Sequence, residues 1–271
     1  MAKIRQYHHH FHFSYSTSIR RHISSIIIVT TSLLLLLFLI IHLTIPQNSL
    51  AVSQTSLLDV IIASINTLFR LFIAYLLSLV VSIPLSLFIV KTPTNEKILL
   101  PIFDIIQSIP VLAFFPVIVV FFTRYNAFEF AAIFILFMSM LWNLVFTMIG
   151  GLKAIPEDIK SATAIFNVHG FNKLRYITLP AIFPYLVTGS LLAWAQGWSI
   201  IIVAEVLHTY IPHGTASQDL LGLGSLLVNS FAQGNTYLFL LTLSTMIVLI
   251  SLLNFFIWQK ILHIAQAYKF D

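Results

Sequence analysis

Residues 153–180 read Lys153-Ala-Ile-Pro-Glu-Asp-Ile-Lys-Ser-Ala-Thr-Ala-Ile-Phe-Asn-Val-His-Gly-Phe-Asn-Lys-Leu-Arg-Tyr-Ile-Thr-Leu-Pro180, a polar, basic stretch set between two long apolar runs. Pro156 suits the first turn of a helix, and Glu157 and Asp158 then place negative charge at the positive end of the helix dipole. Ser161-Ala-Thr-Ala164 is small enough for another backbone to approach closely. Asn167 is one of the few non-glycine residues that tolerate a left-handed turn, and Gly170 is unrestricted. The stretch therefore predicts a helix, a sharp turn and a second helix carrying Phe171, Lys173, Leu174 and Arg175. Pro180 and Pro184 mark the return to an apolar segment. Two readings fit: a docking element for a partner protein, or an amphipathic loop lying on lipid.

The surroundings set the class. The chain has 271 residues, 59% hydrophobic and 8% charged, with a formal net charge of +5 and a mean hydropathy of +0.97. Soluble globular domains carry about 25% charged and about 45–50% apolar residues, so this chain cannot hide its apolar surface in one water-soluble core. It reads as an all-α integral membrane protein. With no cysteine, disulfides, thiolate nucleophiles and Cys-ligated metals are excluded.

A spanning helix takes about 20 largely apolar residues, because lipid offers no partner for free backbone polar groups. Residues 23–45, with the run Leu33-Leu-Leu-Leu-Leu-Phe-Leu-Ile-Ile41, meet this condition. The segment is longer than a signal h-region and has no small-residue cleavage site after it, so it reads as a retained helix. A second span is predicted near 71–90, after an amphipathic lead-in over 57–70. The third, 98–122, contains Pro101, Pro110 and Pro116 and should be kinked or broken. Further spans are predicted near 128–149, 182–207 and 237–259, six in all. The corresponding organisation is an N-terminal tail (1–22), the first helix (23–45), a core (57–259) containing the 150–181 loop, and a C-terminal tail (260–271).

With the N-terminus inside, 12 of the 14 Lys and Arg residues fall on inside segments, Arg124 in an outside loop and Arg70 at the outer edge of the second span. Basic residues accumulate on cytoplasmic loops, which predicts a multi-pass plasma-membrane protein with cytoplasmic termini and a cytoplasmic 150–181 loop. The cluster Tyr7-His-His-His-Phe-His-Phe13 is read as an interfacial N-terminal segment in preference to a metal site. No other histidines have metal-ligand spacing, and nothing points to nucleic acid.

In spacing and character the 153–180 stretch resembles the "EAA" loop of binding-protein-dependent ABC-transporter permeases. That family loop has the form E-A-A, three residues, G, nine residues, I, one residue, L-P. Placing Leu179-Pro180 on its L-P sets Ile177 on the isoleucine, Asn167 on the glycine and Ser161-Ala162-Thr163 on E-A-A, without a gap. Ser161 and Asn167 depart from the signature, although asparagine can still serve the turn. Other stretches agree in order. They are Ser64-Ile-Asn-Thr-Leu-Phe-Arg70, Leu100-Pro-Ile-Phe-Asp-Ile-Ile-Gln-Ser-Ile-Pro-Val-Leu-Ala-Phe-Phe-Pro116, Pro180-Ala-Ile-Phe-Pro-Tyr-Leu-Val-Thr-Gly189, Trp198 with Ala204-Glu205, and Leu221-Gly-Leu-Gly-Ser225. The resemblance covers about residues 64–258 and is strongest to nitrate/sulfonate/taurine-type permeases.

The resemblance implies a type I ABC importer permease fold and a non-catalytic membrane subunit. Its partners would be ABC ATPase subunits, an extracytoplasmic solute-binding protein and a second permease subunit, most simply a copy of this chain. It implies an ATPase-coupling role for Ser161, Ala162, Thr163, Asn167, Gly170, Lys173, Arg175, Ile177, Leu179 and Pro180, and no cofactor. The chain lacks a G-x-x-x-x-G-K-[ST] loop to hold phosphates, so energy has to come from another subunit.

Polar residues inside apolar spans mark pathways or buried pairs. Asp104, Gln107 and Ser108 lie beside Pro110, either lining a cavity or satisfying a helix break locally. Asn143, Trp194, Gln196 and Trp198 are further pathway candidates. Arg70 and Glu205, near outer ends, read as a structural salt bridge or interfacial snorkelling. The alternative function, an ion-coupled secondary transporter using Asp104, Arg70 or Glu205, predicts inverted repeats and midplane charges, which the sequence does not display.

Overall fold

The computed structural model describes residues 57–268, which are helical with no strand. The predicted span over 23–45, the N-terminal tail and the His cluster at 7–13 lie outside these residues, as do the last three residues of the predicted C-terminal tail. Among the described residues four helices are long and apolar enough to cross a membrane, and a bent pair makes a fifth.

Helix α1, Leu57–Val90, is one continuous helix of 34 residues. The predicted lead-in over 57–70 and the span near 71–90 run on as this one helix. No Gly or Pro interrupts the chain before Pro84, and the charge of Arg70 lowers hydropathy without breaking helical hydrogen bonding. Ala63, Thr67, Leu71, Ala74, Ser78, Ser82 and Ser86 are buried at intervals of three or four, forming one face of the helix. All but Leu71 are small, and they let α1 pack closely on α4, Phe128–Lys153, as small residues do between membrane helices. The hydroxyls of Ser78, Ser82 and Ser86 are satisfied by backbone carbonyls: Ser78 Oγ donates to Ala74 O at 2.8 Å and to Phe137 O at 3.0 Å.

The third predicted span is broken. Helix α2, Pro93–Ser108, and α3, Val111–Thr123, meet at a 79° bend. Thr92 caps α2, its Oγ1 accepting from Asn95 N at 3.1 Å. At the break Ile109 is extended (φ −75°, ψ 123°), the conformation that a following proline imposes on its predecessor.

The core forms where α4 crosses α7, Leu179–Glu205. A Cβ on Gly189 would fall on Thr147 Oγ1, one on Gly197 would fall on Met140 and Leu71, and one on Gly151 would lie 2.8 Å from Tyr185 Cβ. The crossing depends on small residues from both helices. Between α4 and α7 stand α5, Glu157–Ile165, and α6, Gly170–Lys173. Helix α6 runs without a break through a π-turn, Leu174–Thr178, into α7, so 170–205 is one helix of 36 residues. Re-entry at Pro180 is therefore not a new start. Leu179 N reaches Leu174 O five residues back, and the wide turn absorbs the N–H that Pro180 lacks. The short α8, Leu223–Ala232, precedes α9, Thr236–Leu253. Helix α9 continues through a second π-turn into α10, Gln259–Gln266.

Candidate functional site

The turn after α5 follows from its residues. Asn167 has φ +54° and Gly170 φ +60°, both left-handed. Val168 N donates to Thr163 O and Asn167 N to Ala164 O, each at 3.1 Å. These paired bonds form a Schellman motif with Asn167 at the left-handed position usually held by glycine. Glu157 and Asp158 occupy the first turn of α5, and Lys160 Nζ lies 2.8 Å from Glu157 Oε1. The predicted helix, turn and helix are present.

The exposed surface of this segment differs in part from the predicted small face. Ser161 and Ala164 are exposed and Ala162 is half-buried, but Thr163 is turned inward at 5% exposure, its Oγ1 donating to Ile159 O at 2.6 Å. Thr163 is therefore turned toward its own chain and withdrawn from the exposed surface of the segment. The largest exposed groups are apolar: Ile165 at 81%, Phe166 at 78% and Phe171 at 70%. Sequence reasoning passed over Ile165 and Phe166, since an apolar residue at a helix end gives no signal of exposure until the turn is placed. Lys173 and Arg175 are exposed, while Ile177, Leu179 and Pro180 are half-buried at the foot of α7. There, Ile159, Tyr176, Ile177, Pro180 and Ala181 share a groove with Ala267 and Tyr268.

Of the pathway candidates, Asp104, Gln107 and Ser108 come together on the last turns of α2, all exposed on this chain. Gln107 Nε2 donates to Asp104 Oδ1 at 2.8 Å, and Ser108 Oγ to Asp104 O at 2.7 Å. Gln196 is exposed and Asn143 half-buried. Trp198 belongs to the hydrophobic core at 9% exposure, which leaves it no open face to offer a solute. Trp194 packs against Tyr75 and Trp258, with ring centroids 5.9 and 6.2 Å away.

Arg70 and Glu205 form the salt bridge, within a larger network. Arg70 Nη1 lies 2.8 Å from Glu205 Oε1, and its Nε and Nη2 each donate to Glu129 at 2.7 Å. Glu205 also accepts from Thr67 Oγ1 and from Gly224 N, both at 2.7 Å. Its carboxylate thus serves the first turn of α8, a position where negative charge is favoured. Glu129 was not anticipated, because no local pattern marks it as a second carboxylate partner of Arg70. Arg70 and Glu205 are saturated by protein groups. Among the described residues no cluster of three or more metal-ligating side chains occurs.

Comparison with known proteins agrees with this architecture. The chain is 28% identical over 138 residues to the nitrate import permease protein NrtB of Leptolyngbya laminosa, covering 51% of this chain and 48% of the relative. It is 26% identical over 148 residues to the bicarbonate transport system permease protein CmpB of Synechococcus elongatus, covering 55% and 52%. It is 23% identical over 141 residues to the taurine transport system permease protein TauC of Escherichia coli, covering 52% and 50%. The chain spans about half the length of the relatives it matches. A family model describing the binding-protein-dependent transport system inner membrane component matches residues 82–263. That match takes in α2 to α9, the 153–180 segment and Glu205, and the chain belongs to this family of ABC-transporter permeases.

Proposed function

We propose that this chain is the transmembrane permease subunit of an ABC importer. It forms half of a translocation pathway for a small solute, on the scale of the nitrate, bicarbonate and taurine named for its relatives. An extracytoplasmic binding protein delivers the solute, and a second permease subunit, most simply a copy of this chain, completes the pathway. A separate ATPase docks on the 153–180 segment, which with both termini faces the cytoplasm.

The observation that carries the reading is the trio Ile165, Phe166 and Phe171, each at least 70% exposed on a sharply turned segment, the first two between apolar spans and Phe171 at the very start of the 170–205 helix. Apolar side chains held out by a capped turn favour a partner surface, where burying each side chain contributes about 1.5–3 kcal/mol. Saturation of Arg70 and Glu205 by protein groups speaks against the ion-coupled alternative, which requires groups that exchange partners. Co-expression with an ATPase subunit tests the assignment. Phe166→Asp should remove the ATPase from the purified complex while the permease still inserts in the membrane. Undiminished co-purification of Phe166→Asp together with Phe171→Asp would overturn it.

A further inference from the structure

We infer that the ion pair between Glu96 and Lys153 carries movement of the docked 153–180 segment to the bent α2–α3 pair, which makes Glu96 a positioning residue for transport. The inference rests on the docking reading above. Lys153 is the last residue of α4 and leads directly into the segment. Glu96 lies in the first turn of α2 and pairs through Oε1 with Lys153 Nζ. Helix α2 contributes no buried residue of its own. Leu99, Leu100 and Phe103 pack from one side on Ile89, Leu141, Val145 and Ile149, and Asn95 Nδ2 donates to Phe88 O at 3.2 Å. From Glu96, ~18 Å of helix at 1.5 Å per residue leads to Ser108 and the 79° bend. A push at Lys153 therefore has a lever to act on and a hinge, Ile109-Pro110, at the lever's far end.

The pair is built to change. Lys153 is 47% and Glu96 29% exposed, so water and salt compete for both charges and separating them is easy. The Arg70–Glu205 pair, at 3% and 0% exposed, is the opposite case, because separating buried charges strands them without solvent. One contact holds the outer ends in place, and the other can form and break during a cycle. Transmission between distant sites needs an element with two discrete arrangements that both sites bias, and on this inference that part falls to the bent α2–α3 pair.

The test uses the full complex of permease, ATPase and binding protein in proteoliposomes, with Ser108→Cys as reporter, since the native chain has no cysteine. Trapping with ATP and vanadate should change the labelling rate of this thiol by a membrane-impermeant maleimide. In E96Q and in K153Q that change should shrink about fivefold, the upper range for a partly exposed pair. The swap E96K with K153E should restore it, and ATPase co-purification and thermal stability should match the parent throughout. A full-sized response in both single variants, or a swap that fails to restore it, overturns the inference alone. Failure of the ATPase to co-purify with the parent chain overturns the docking reading and this inference with it.

Discussion

Arg70 and Glu205, 135 positions apart in the chain, meet at 2.8 Å with neither side chain open to solvent. Arg70→Leu leaves the Glu205 carboxylate buried with only Thr67 and Gly224 N for company, and breaking a buried pair in this way costs about 3–5 kcal/mol. Glu129, whose side chain is 54% exposed, can be solvated when its partner is lost, so Glu129→Gln should cost about 1 kcal/mol or less. Thermal unfolding in detergent should place Arg70→Leu far below Glu129→Gln. The double variant Arg70→Leu, Glu205→Leu should recover much of the loss, because neither charge is then stranded. Equal losses in Arg70→Leu and Glu129→Gln would show that burial does not govern this network.

The same carboxylate and the α7 backbone beside it dictate two glycines. A Cβ on Gly222 would fall on the Glu205 carboxyl group, and one on Gly224 would come within 2.7 Å of Ile202 Cα and 2.9 Å of Ile201 O. Gly222→Ala and Gly224→Ala should each destabilise by about 1–3 kcal/mol, as overpacking does. Gly150 is the internal control, a helical glycine whose added Cβ meets nothing within 4 Å. Gly150→Ala should be neutral or stabilising by up to about 1 kcal/mol through helix propensity. Melting temperatures of the three single variants decide the matter.

At the turn, backbone conformation decides which substitutions are tolerated. Asn167 and Gly170 both have positive φ, so Asn167→Gly should retain ATPase association while Asn167→Val should weaken it. A β-branched residue held left-handed costs roughly 1–2 kcal/mol. Gly170→Pro is more severe, because proline fixes φ near −65° and cannot adopt +60°. It should uncouple ATP hydrolysis from uptake more than it lowers stability in detergent. Hydrolysis that remains fully coupled in Gly170→Pro would remove the turn from the mechanism.

What could be read from the chain alone divides along physical lines. Pro110 and the pair Asn167 and Gly170 act on their own backbone, so the break and the turn were visible at those residues. Arg70 and Glu205 could be matched because charges in apolar spans need partners. Glu129 could not be added, because a third partner depends on how α4 is rotated against α1. The continuity of α1 through Arg70 and of α7 through Pro180 was hidden for a related reason. A charge lowers hydropathy and a proline removes a donor, but neither ends a helix when neighbouring contacts and a π-turn supply what is missing. Trp198 turns inward because of packing partners outside its own motif, and such partners leave no trace in local spacing.

The bend between α2 and α3 yields the last prediction. Asp104, Gln107 and Ser108 are exposed on this chain, and their mutual hydrogen bonds leave much of the Asp104 carboxylate still to be solvated. A carboxylate facing hydrocarbon is costly, by about 2.5–3.5 kcal/mol on insertion scales at the centre of a spanning helix. The neighbours Ile102, Ile105 and Ile106 are themselves exposed and apolar, so lipid on one face and water on the other is the arrangement that satisfies both sets. Single cysteines at 104, 107 and 108 should react with a charged, membrane-impermeant thiol reagent in at least one nucleotide state of the assembled transporter. Cysteines at 102 and 105 should remain slow in every state. Uniform protection of 104, 107 and 108 would exclude a water-lined bend and remove these residues from the pathway, whereas rapid labelling at 105 alone would mean that the helix presents its opposite face to water.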